Sequence, residues 1–283
     1  MWEVKVSKNT ETMPRIATFW HEGPLRFVDQ VCMASWLRHG HNVDLYCNAI
    51  PPNLPKGVRP CDAKKILDPI LMERLHPKYH LEKLPFQAVV SFSDMMRMAL
   101  FKNNAGFWLD TDTYLFSSVR HDPEKPFFAK DGRRIGISAL YFPASSDLLT
   151  DYFTVFDNDI LMPPWTSWEF KTLRPLLYNL LRRSWAPSDF LITLYGNHGM
   201  TRLVKKHGIF NKSAPQKSFY YWTGNDCFHI YDPERYRDFN TDDEVTGFHI
   251  HRKGPSNQLP AAGCIYEEMI DLVSEYLPDN AKP

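Results

Sequence analysis

Residues 91–116 constrain the fold more than any other stretch of the chain. Their first half has apolar residues at helical spacing that would face a core, including Met95 and Leu100. Gly106 follows as a helix stop, where a left-handed cap is needed, and the apolar run 107–109 predicts a short buried strand. Two aspartates then come at the carboxyl end of that strand, where open α/β sheets bind their ligands. The stretch therefore predicts a charged site at the edge of an α/β sheet.

The two aspartates, Asp110 and Asp112, are separated by a single residue. A turn at the end of the strand lets their oxygens converge, and like charges at that separation are tolerated when a cation lies between or beside them. Carboxylate oxygens favour Mg²⁺ or Mn²⁺ over Zn²⁺, and two carboxylates leave coordination positions open for the phosphates of a nucleotide. An isolated Asp-x-Asp is a weak signal, because a solvated turn produces the same pattern. The surrounding sequence has to strengthen it.

Two motifs at a defined separation provide that context. Ser-Asp-x-x-Arg at residues 93–97 precedes Ala-Gly-Phe-Trp-Leu-Asp-Thr-Asp at residues 105–112. Together they resemble the sugar-binding region of Asp-x-Asp glycosyltransferases, a group that includes yeast-type mannosyltransferases, bacterial capsule and lipopolysaccharide sugar transferases and clostridial glucosylating toxins. The chain departs from the family pattern in Ala105, where the family has glycine, and in Trp108, where it has tyrosine.

The resemblance implies an α/β fold of the GT-A type, a Rossmann-like mixed sheet flanked by helices with a helical insertion on the acceptor side. It implies that Asp112 binds a divalent cation and that Asp110 reaches the nucleotide ribose, the sugar or the metal's waters. Asp94 and Arg97 would hydrogen-bond hydroxyls of the donor sugar; without the motif, an ion pair on a helix surface explains them as well. Asp110, Asp112 and Arg97 are thus the catalytic candidates.

The N-terminal part has the strand–helix–strand pattern of a nucleotide-binding half. The predicted order is strand 15–20, helix 25–39 and strand 42–47. The chain has no Gly-x-Gly-x-x-Gly, which argues against a dinucleotide enzyme. In the resembled family the end of the first strand cradles the nucleotide base, so Phe19, Trp20 and Gly23 become candidates for donor binding. An ordinary strand end in the core is an equally good interpretation of these three residues.

The rest of the chain has weaker patterns. Residues 48–87, rich in proline, predict a long excursion with short helical pieces, and residues 157–194 form the insertion where acceptor specificity resides in such folds. The further predicted elements are strands 126–130 and 133–141, and helices 145–156, 168–183 and 261–277.

The C-terminal part supplies a candidate third metal ligand. Residues 246–251 predict a last strand, followed by Gly254 and a proline. In related retaining galactosyl- and glucosyltransferases, a His-x-x-Gly-Pro element at this place provides a metal ligand and wraps the pyrophosphate. That resemblance implies a metal role for His251 and phosphate contacts for Lys253 and Gly254; imidazole suits Mn²⁺ better than Mg²⁺, and lysine suits a phosphate. Strand alternation favours His251 over His249, although a lone strand histidine is normally structural.

Composition limits the partners and the compartment. The 283 residues suit one large α/β domain, residues 1–283, with a nucleotide-sugar half at about 15–141 and an acceptor side at about 142–283. A formal net charge of zero does not favour a surface that binds nucleic acid. Five cysteines without a Cys-x-x-Cys pair suit a reduced, cytoplasmic protein. Neither a signal peptide nor a transmembrane run is evident, so contact with the inner face of a membrane would have to be peripheral.

These features predict a metal-dependent glycosyltransferase that uses Mn²⁺ or Mg²⁺ and moves a hexose from a UDP- or GDP-sugar to a glycan or glycolipid acceptor, as in polysaccharide biosynthesis. Retention of anomeric configuration is implied by the resemblance. One alternative is a haloacid-dehalogenase-type phosphatase with Asp110 as nucleophile and Asp112 as acid/base; that motif needs Thr or Val where this chain has Tyr114. The other is a non-catalytic protein that binds sugar nucleotides.

Overall fold

A mixed six-stranded sheet, in the order β3-β2-β1-β4-β7-β6, forms the centre of the protein in a computed structural model that describes residues 13–75, 86–239, 242, 244–251, 254–279 and 281–282. The first four strands of this order are parallel, and β7 runs antiparallel to both β4 and β6. A separate antiparallel pair joins β5 to β8. The strands are β1 (Ile16–Trp20), β2 (Val43–Cys47), β3 (Arg59–Asp62), β4 (Phe107–Leu109), β5 (Thr113–Leu115), β6 (Phe127–Asp131), β7 (Arg134–Tyr141) and β8 (Gly247–His249).

Helices pack on both faces of the sheet, so its central strands β1, β2 and β4 are buried on both sides. Side chains of β1 alternate, so Ile16 packs with Trp36 on one face while Ala17 and Phe19 pack with Met95 on the other. The helices are α1 (Phe27–Arg38), α2 (Leu71–Leu75), α3 (Phe86–Lys102), α4 (Asp147–Phe153), α5 (Arg174–Leu180), α6 (Pro187–Phe190), α7 (Asn197–Lys206) and α8 (Ile265–Asp271). The predicted α/β architecture, a mixed sheet flanked by helices, is confirmed.

Several boundaries differ from the sequence patterns. The proline-rich excursion contains an edge strand, β3, that the pattern did not indicate, and proline is tolerated there because an edge strand leaves one row of N–H groups unpaired. The closing helix is shorter than predicted, since α8 gives way to a separate 3₁₀ turn at Ser274–Tyr276. None of the helices in the described part of the chain is both long and apolar enough to cross a membrane. The division into a donor half and an acceptor half remains a prediction.

The connection from α3 to β4 uses its glycine in a different way from the one predicted. Asn104, with φ of 52°, takes the left-handed position after the helix. Gly106, with φ of 140°, instead passes so close to β1 that a Cβ there would lie 2.4 Å from the carbonyl oxygen of Arg15. The same carbonyl accepts a hydrogen bond from the N–H of Phe107 at 2.8 Å. Gly106 is therefore needed for the close approach of β4 to β1, with which β4 pairs in parallel.

Gly106→Ala should consequently lower the free energy of unfolding by about 3 kcal/mol or more, because it combines a backbone clash with an unfavourable φ. Gly132→Ala is the matched control: Gly132 has φ of 59° with open space around its Cβ position, so only the left-handed conformation is penalised, at about 1–2 kcal/mol. Urea unfolding of both variants measures the difference. Equal losses would show that the approach to Arg15 is not what requires Gly106.

Candidate functional site

A cleft of about 580 Å³ opens where β1 and β4 end. Because the two strands are parallel, their carboxyl ends lie at the same edge of the sheet. The cleft is lined from the strand ends by Phe19, Trp20, Trp108, Asp110, Thr111 and Asp112, and from α3 by Phe86, Val89, Val90, Ser93, Asp94 and Arg97. The sheet edge thus brings most of the predicted site residues into one cavity.

Arg97 is buried between two carboxylates. Its guanidinium donates to Oδ1 of Asp94 at 2.9 Å and to Oδ1 of Asp110 at 2.9 Å, and both Arg97 and Asp94 are 4% exposed. The Arg97 guanidinium also lies over the ring of Trp108, 4.6 Å from its centroid, while the indole N–H donates to the same Asp110 oxygen at 2.6 Å. Asp94 and Arg97 are therefore not a surface ion pair. They belong to a network that fixes one oxygen of Asp110.

Burial changes the ionisation of this network. Loss of water raises the pKa of Asp94 to about 7, with the nearby Asp110 charge adding to the effect and Arg97 opposing it. One guanidinium serves two carboxylates, so it cannot fully compensate both. Asp94 therefore changes its charge close to neutral pH.

A second group of side chains has the composition of a metal site. Within the described part of the chain, Asp110, Asp112 and His249 offer ligand atoms that all lie within 4.8 Å of one another. His249 Nε2 is 3.2 Å from Asp112 Oδ1. Two carboxylates and an imidazole fit Mn²⁺ well and Mg²⁺ acceptably, since both prefer oxygen and Mn²⁺ also accepts nitrogen. The donor set therefore fits the predicted divalent cation.

The histidine in this group is His249 and not His251, the one favoured by strand alternation. Pairing of β8 with β5 sets His249 opposite Thr113, directly beside Asp112. The strand then ends: the N–H of His251 bonds to the carbonyl of His249 at 2.8 Å in a tight turn, so alternation no longer determines the face of His251. His251 is exposed, with its ring 5.5 Å from that of His249.

The predicted base-binding residues have unequal positions. Phe19 is buried against Phe92, at 5.4 Å between ring centroids, and forms part of the cleft wall. Trp20 is half-buried, and its indole N–H donates to the carbonyl of Gly23 at 3.1 Å. Gly23 does not line the cleft; it supports Trp20 from the following turn.

The structure gives little support to the two residues predicted to bind phosphate, Lys253 and Gly254. Lys253 lies outside the described residues. Gly254 begins a short 3₁₀ turn, Gly254–Asn257, and is not among the residues that line the cleft.

Arg26 was not predicted from the sequence as a site residue, but it lines the cleft from the N-terminus of α1. Asp29 is fully buried and holds the Arg26 guanidinium with two bonds of 2.6 Å, while Thr111 donates to the same carboxylate at 2.7 Å. Arg26 Nη2 then lies 3.7 Å from Asp112 Oδ2. The signal in the sequence was an acidic residue three positions into the helix, where its carboxylate also accepts from the N–H of Arg26 at 3.1 Å.

A second missed residue, Tyr220, supports the site from behind. Its hydroxyl bonds to the N–H of Ser138 at 3.0 Å and to the Ser138 hydroxyl at 2.5 Å. The carbonyl of Ser138 accepts from the N–H of Asp110 at 2.8 Å. The phenol occupies the space that a side chain at Gly136 would need, since a Cβ there would lie 2.0 Å from the Tyr220 hydroxyl. Tyr220 thereby braces the strand that holds Asp110.

Comparisons with known proteins add little to this geometry. No family model matches the chain, and no curated protein matches it. Among solved structures, it is similar to one titled "PaToxG Glycosyltransferase", over 70% of this chain and 71% of that chain, with 10% sequence identity and a TM-score of 0.44. A likeness at this level assigns no activity, so the support for a function has to come from the residues of the cleft.

The ionisation of Asp94 predicts a specific pH dependence of stability. The folded protein keeps the Asp94 proton up to about pH 7, whereas the unfolded chain releases it near pH 4, so this group's stabilisation is lost as the pH rises across that window. Relative to Asp94→Asn, the free energy of unfolding of the wild type should fall by about 2–4 kcal/mol from about pH 4 to about pH 7. Urea unfolding at several pH values measures it, and a constant difference between the two proteins would contradict the assignment.

Proposed function

We propose that the protein is a metal-dependent glycosyltransferase that moves a hexose from a UDP- or GDP-sugar to a hydroxyl of a glycan or glycolipid. The supporting observation is that one cleft is lined both by Asp110 and Asp112, which have His249 within ligand distance, and by the buried Asp94–Arg97 pair. The first suits a cation that grips a diphosphate, and the second suits a polyhydroxylated group beside it. A phosphatase needs the first feature but has no use for the second.

The cation would be Mn²⁺ or Mg²⁺, held by Asp112 and His249 with Asp110. When bound, it offsets the negative charge that develops on the departing nucleoside diphosphate. Asp112 is nearly buried, so its carboxylate sits in a medium where charge interactions are stronger than in water. Asp110 has one oxygen fixed by Arg97 and Trp108, which orients the other for the cation, its waters or the ribose.

Asp94 and Arg97 would bind the donor sugar. The carboxyl group of Asp94 can accept hydrogen bonds from sugar hydroxyls in either protonation state, and the guanidinium donates to them, so the pair can bind adjacent hydroxyl groups. Packing of Arg97 on Trp108 and its bond to Asp110 hold the guanidinium in place before the donor arrives. Pre-organisation of this kind lowers the entropy lost on binding.

The base would lie against Phe19 and Trp20, with Gly23 keeping the indole in place through its carbonyl. The segment containing Lys253 and Gly254 remains a proposed contact to the phosphates. Retention of configuration, with attack of the acceptor on the face of the leaving group, also remains part of the proposal, and NMR of the first product formed would establish its anomeric configuration.

Arg26 would contact the diphosphate near Asp112. Asp29 fixes its guanidinium at two points and directs it to the Asp112 edge of the cleft. A planar guanidinium is well suited to phosphate oxygens. Its charge would therefore add to that of the cation where the leaving group gains negative charge.

Turnover of a panel of UDP- and GDP-sugars with Mn²⁺ tests the proposal. The wild type should transfer or slowly hydrolyse at least one donor, and Asp112→Asn should lower that rate by about a hundredfold or more, because the main anionic ligand is lost. Asp226→Asn, an exposed aspartate outside the cleft, is the control and should keep full activity. No turnover of any donor, or a near-normal rate for folded Asp112→Asn, would refute the proposed transferase activity. An aspartyl-phosphate on Asp110 would identify a phosphatase instead.

Arg26→Gln should weaken binding of UDP or GDP about tenfold or more while leaving binding of the corresponding nucleoside unchanged, because only the diphosphate meets the guanidinium. Arg38→Gln is a control on the same helix, since Arg38 is exposed at its C-terminal end. Arg26→Lys should restore part of the loss. Titration calorimetry gives both affinities, and equal weakening for nucleoside and diphosphate would assign Arg26 a purely structural role.

A further inference from the structure

A surface outside the cleft exposes large apolar side chains at high density. Four leucines within six residues, Leu176, Leu177, Leu180 and Leu181, are 46–77% exposed. They are called the leucine face below. Positions 176 and 180, and likewise 177 and 181, lie one helical turn apart, so the four side chains form one contiguous patch along α5. Contiguous apolar patches on a protein surface mark sites of interaction, whereas single exposed leucines need no explanation.

The packing of this segment fixes the leucine face outward. A helical turn of the π type, Glu169–Leu173, runs directly into α5. The inner side is anchored by buried Phe170 and Pro175, and by Tyr178, whose ring lies 5.2 Å from that of Phe190. Arg174 also donates to the carbonyl of Phe190 at 3.2 Å. With its inner side occupied in this way, the helix cannot roll to bury the leucines.

Exposed basic residues flank the leucine face in the sequence. Arg182 and Arg183 follow the last leucine directly, both are exposed, and neither side chain has a partner among the described residues. Lys171, in the π-type turn that precedes α5, is also exposed. The acidic residue between positions 168 and 185, Glu169, is already paired with Arg174 at 2.7 Å.

Neighbouring elements extend the basic surface. The Lys171 ammonium lies 3.3 Å from the carbonyl of Pro164, and Pro164 borders a cavity of about 590 Å³ together with Arg202, Lys205 and Lys206. Of these, Lys206 is paired with Asp151 at 2.6 Å. Trp168, 62% exposed at the start of the segment, adds an aromatic side chain of the type that favours the membrane–water interface.

We propose that residues 168–183 form a membrane-docking surface for a bilayer with anionic lipids. The leucine face would enter the boundary between headgroups and acyl chains, while Lys171, Arg182 and Arg183 bind lipid phosphates. An exposed apolar face beside uncompensated basic residues is the pattern of helices that lie in the plane of a membrane. This surface is independent of the proposed transfer reaction, because it involves no residue of the cleft.

Charge also distinguishes a bilayer from a second copy of the chain. A two-fold contact through the leucine face would bring Arg182 and Arg183 of both copies to the same interface, and like charges would oppose each other there. An anionic lipid surface complements the same arginines. The docking segment packs through Phe190 of α6, and α6 packs on α3, which carries Asp94 and Arg97. Docking would thus hold the cleft in a defined position relative to the bilayer.

Co-sedimentation of the full chain with vesicles, in the absence of metal and donor, tests the proposal. The wild type should bind vesicles of phosphatidylcholine with phosphatidylserine and bind phosphatidylcholine alone much more weakly. Leu176→Ser/Leu180→Ser should weaken binding about tenfold or more, because apolar area no longer leaves water. Arg182→Gln/Arg183→Gln should weaken it about twentyfold on the anionic vesicles, and added salt should have the same effect.

Ile50→Ser/Leu259→Ser is the matched control, because it removes two apolar side chains of similar exposure, 67% and 84%, from other parts of the surface. It should bind vesicles as the wild type does. Circular dichroism and thermal unfolding establish that each variant is folded. Failure of the wild type to bind anionic vesicles, or wild-type binding by the leucine variant, would overturn the proposal. So would a wild-type dimer in analytical ultracentrifugation that the leucine variant dissociates, since the face would then be a dimer interface.

Discussion

The site depends on one buried cation, the guanidinium of Arg97. Its bonds to Asp94 and Asp110, at 2.9 Å each, link the helix that precedes β4 to the carboxylate that follows it. Removing Arg97 alone would leave the buried carboxyl group of Asp94 and the carboxylate of Asp110 without their shared partner, and loss of one partner costs several kcal/mol in comparable buried pairs. Because burial makes the network costly to distort, it holds Asp94, Arg97 and Asp110 in one arrangement. The proposed recognition of sugar hydroxyls would need such rigidity.

The second constraint is the return of the C-terminal part to the strand edge. Pairing of β8 with β5 sets His249 beside Asp112. Tyr220 fills the space left by Gly136 and bonds to Ser138, whose carbonyl accepts from the N–H of Asp110. The candidate metal group therefore joins residues that are more than a hundred positions apart in the chain. The 110–112 turn carries the acidic ligands, but it acquires its imidazole only once the chain has folded back.

Sequence patterns predicted the parts of this arrangement that depend on local chemistry. Helical periodicity located α3, an apolar triplet located β4, and Asp110 and Asp112 followed at the strand end. They did not predict contacts set by chain reversal: alternation favoured His251 because it could not foresee that β8 ends at His249. The left-handed position was assigned to Gly106 instead of Asn104 for a similar reason, since the close approach of Gly106 to Arg15 is a tertiary contact. Arg26 was missed because a basic residue at a helix start usually contacts solvent.

In the proposed function, Asp112 and His249 hold a divalent cation that in turn holds a nucleoside diphosphate. Diffraction from a crystal soaked in Mn²⁺ with UDP or GDP, recorded at a wavelength where manganese scatters anomalously, tests it most directly. We expect an anomalous peak in contact with Asp112, His249 and the diphosphate, with the base against Trp20. Bound nucleotide without a peak at that position, or a peak held by other residues, would contradict it.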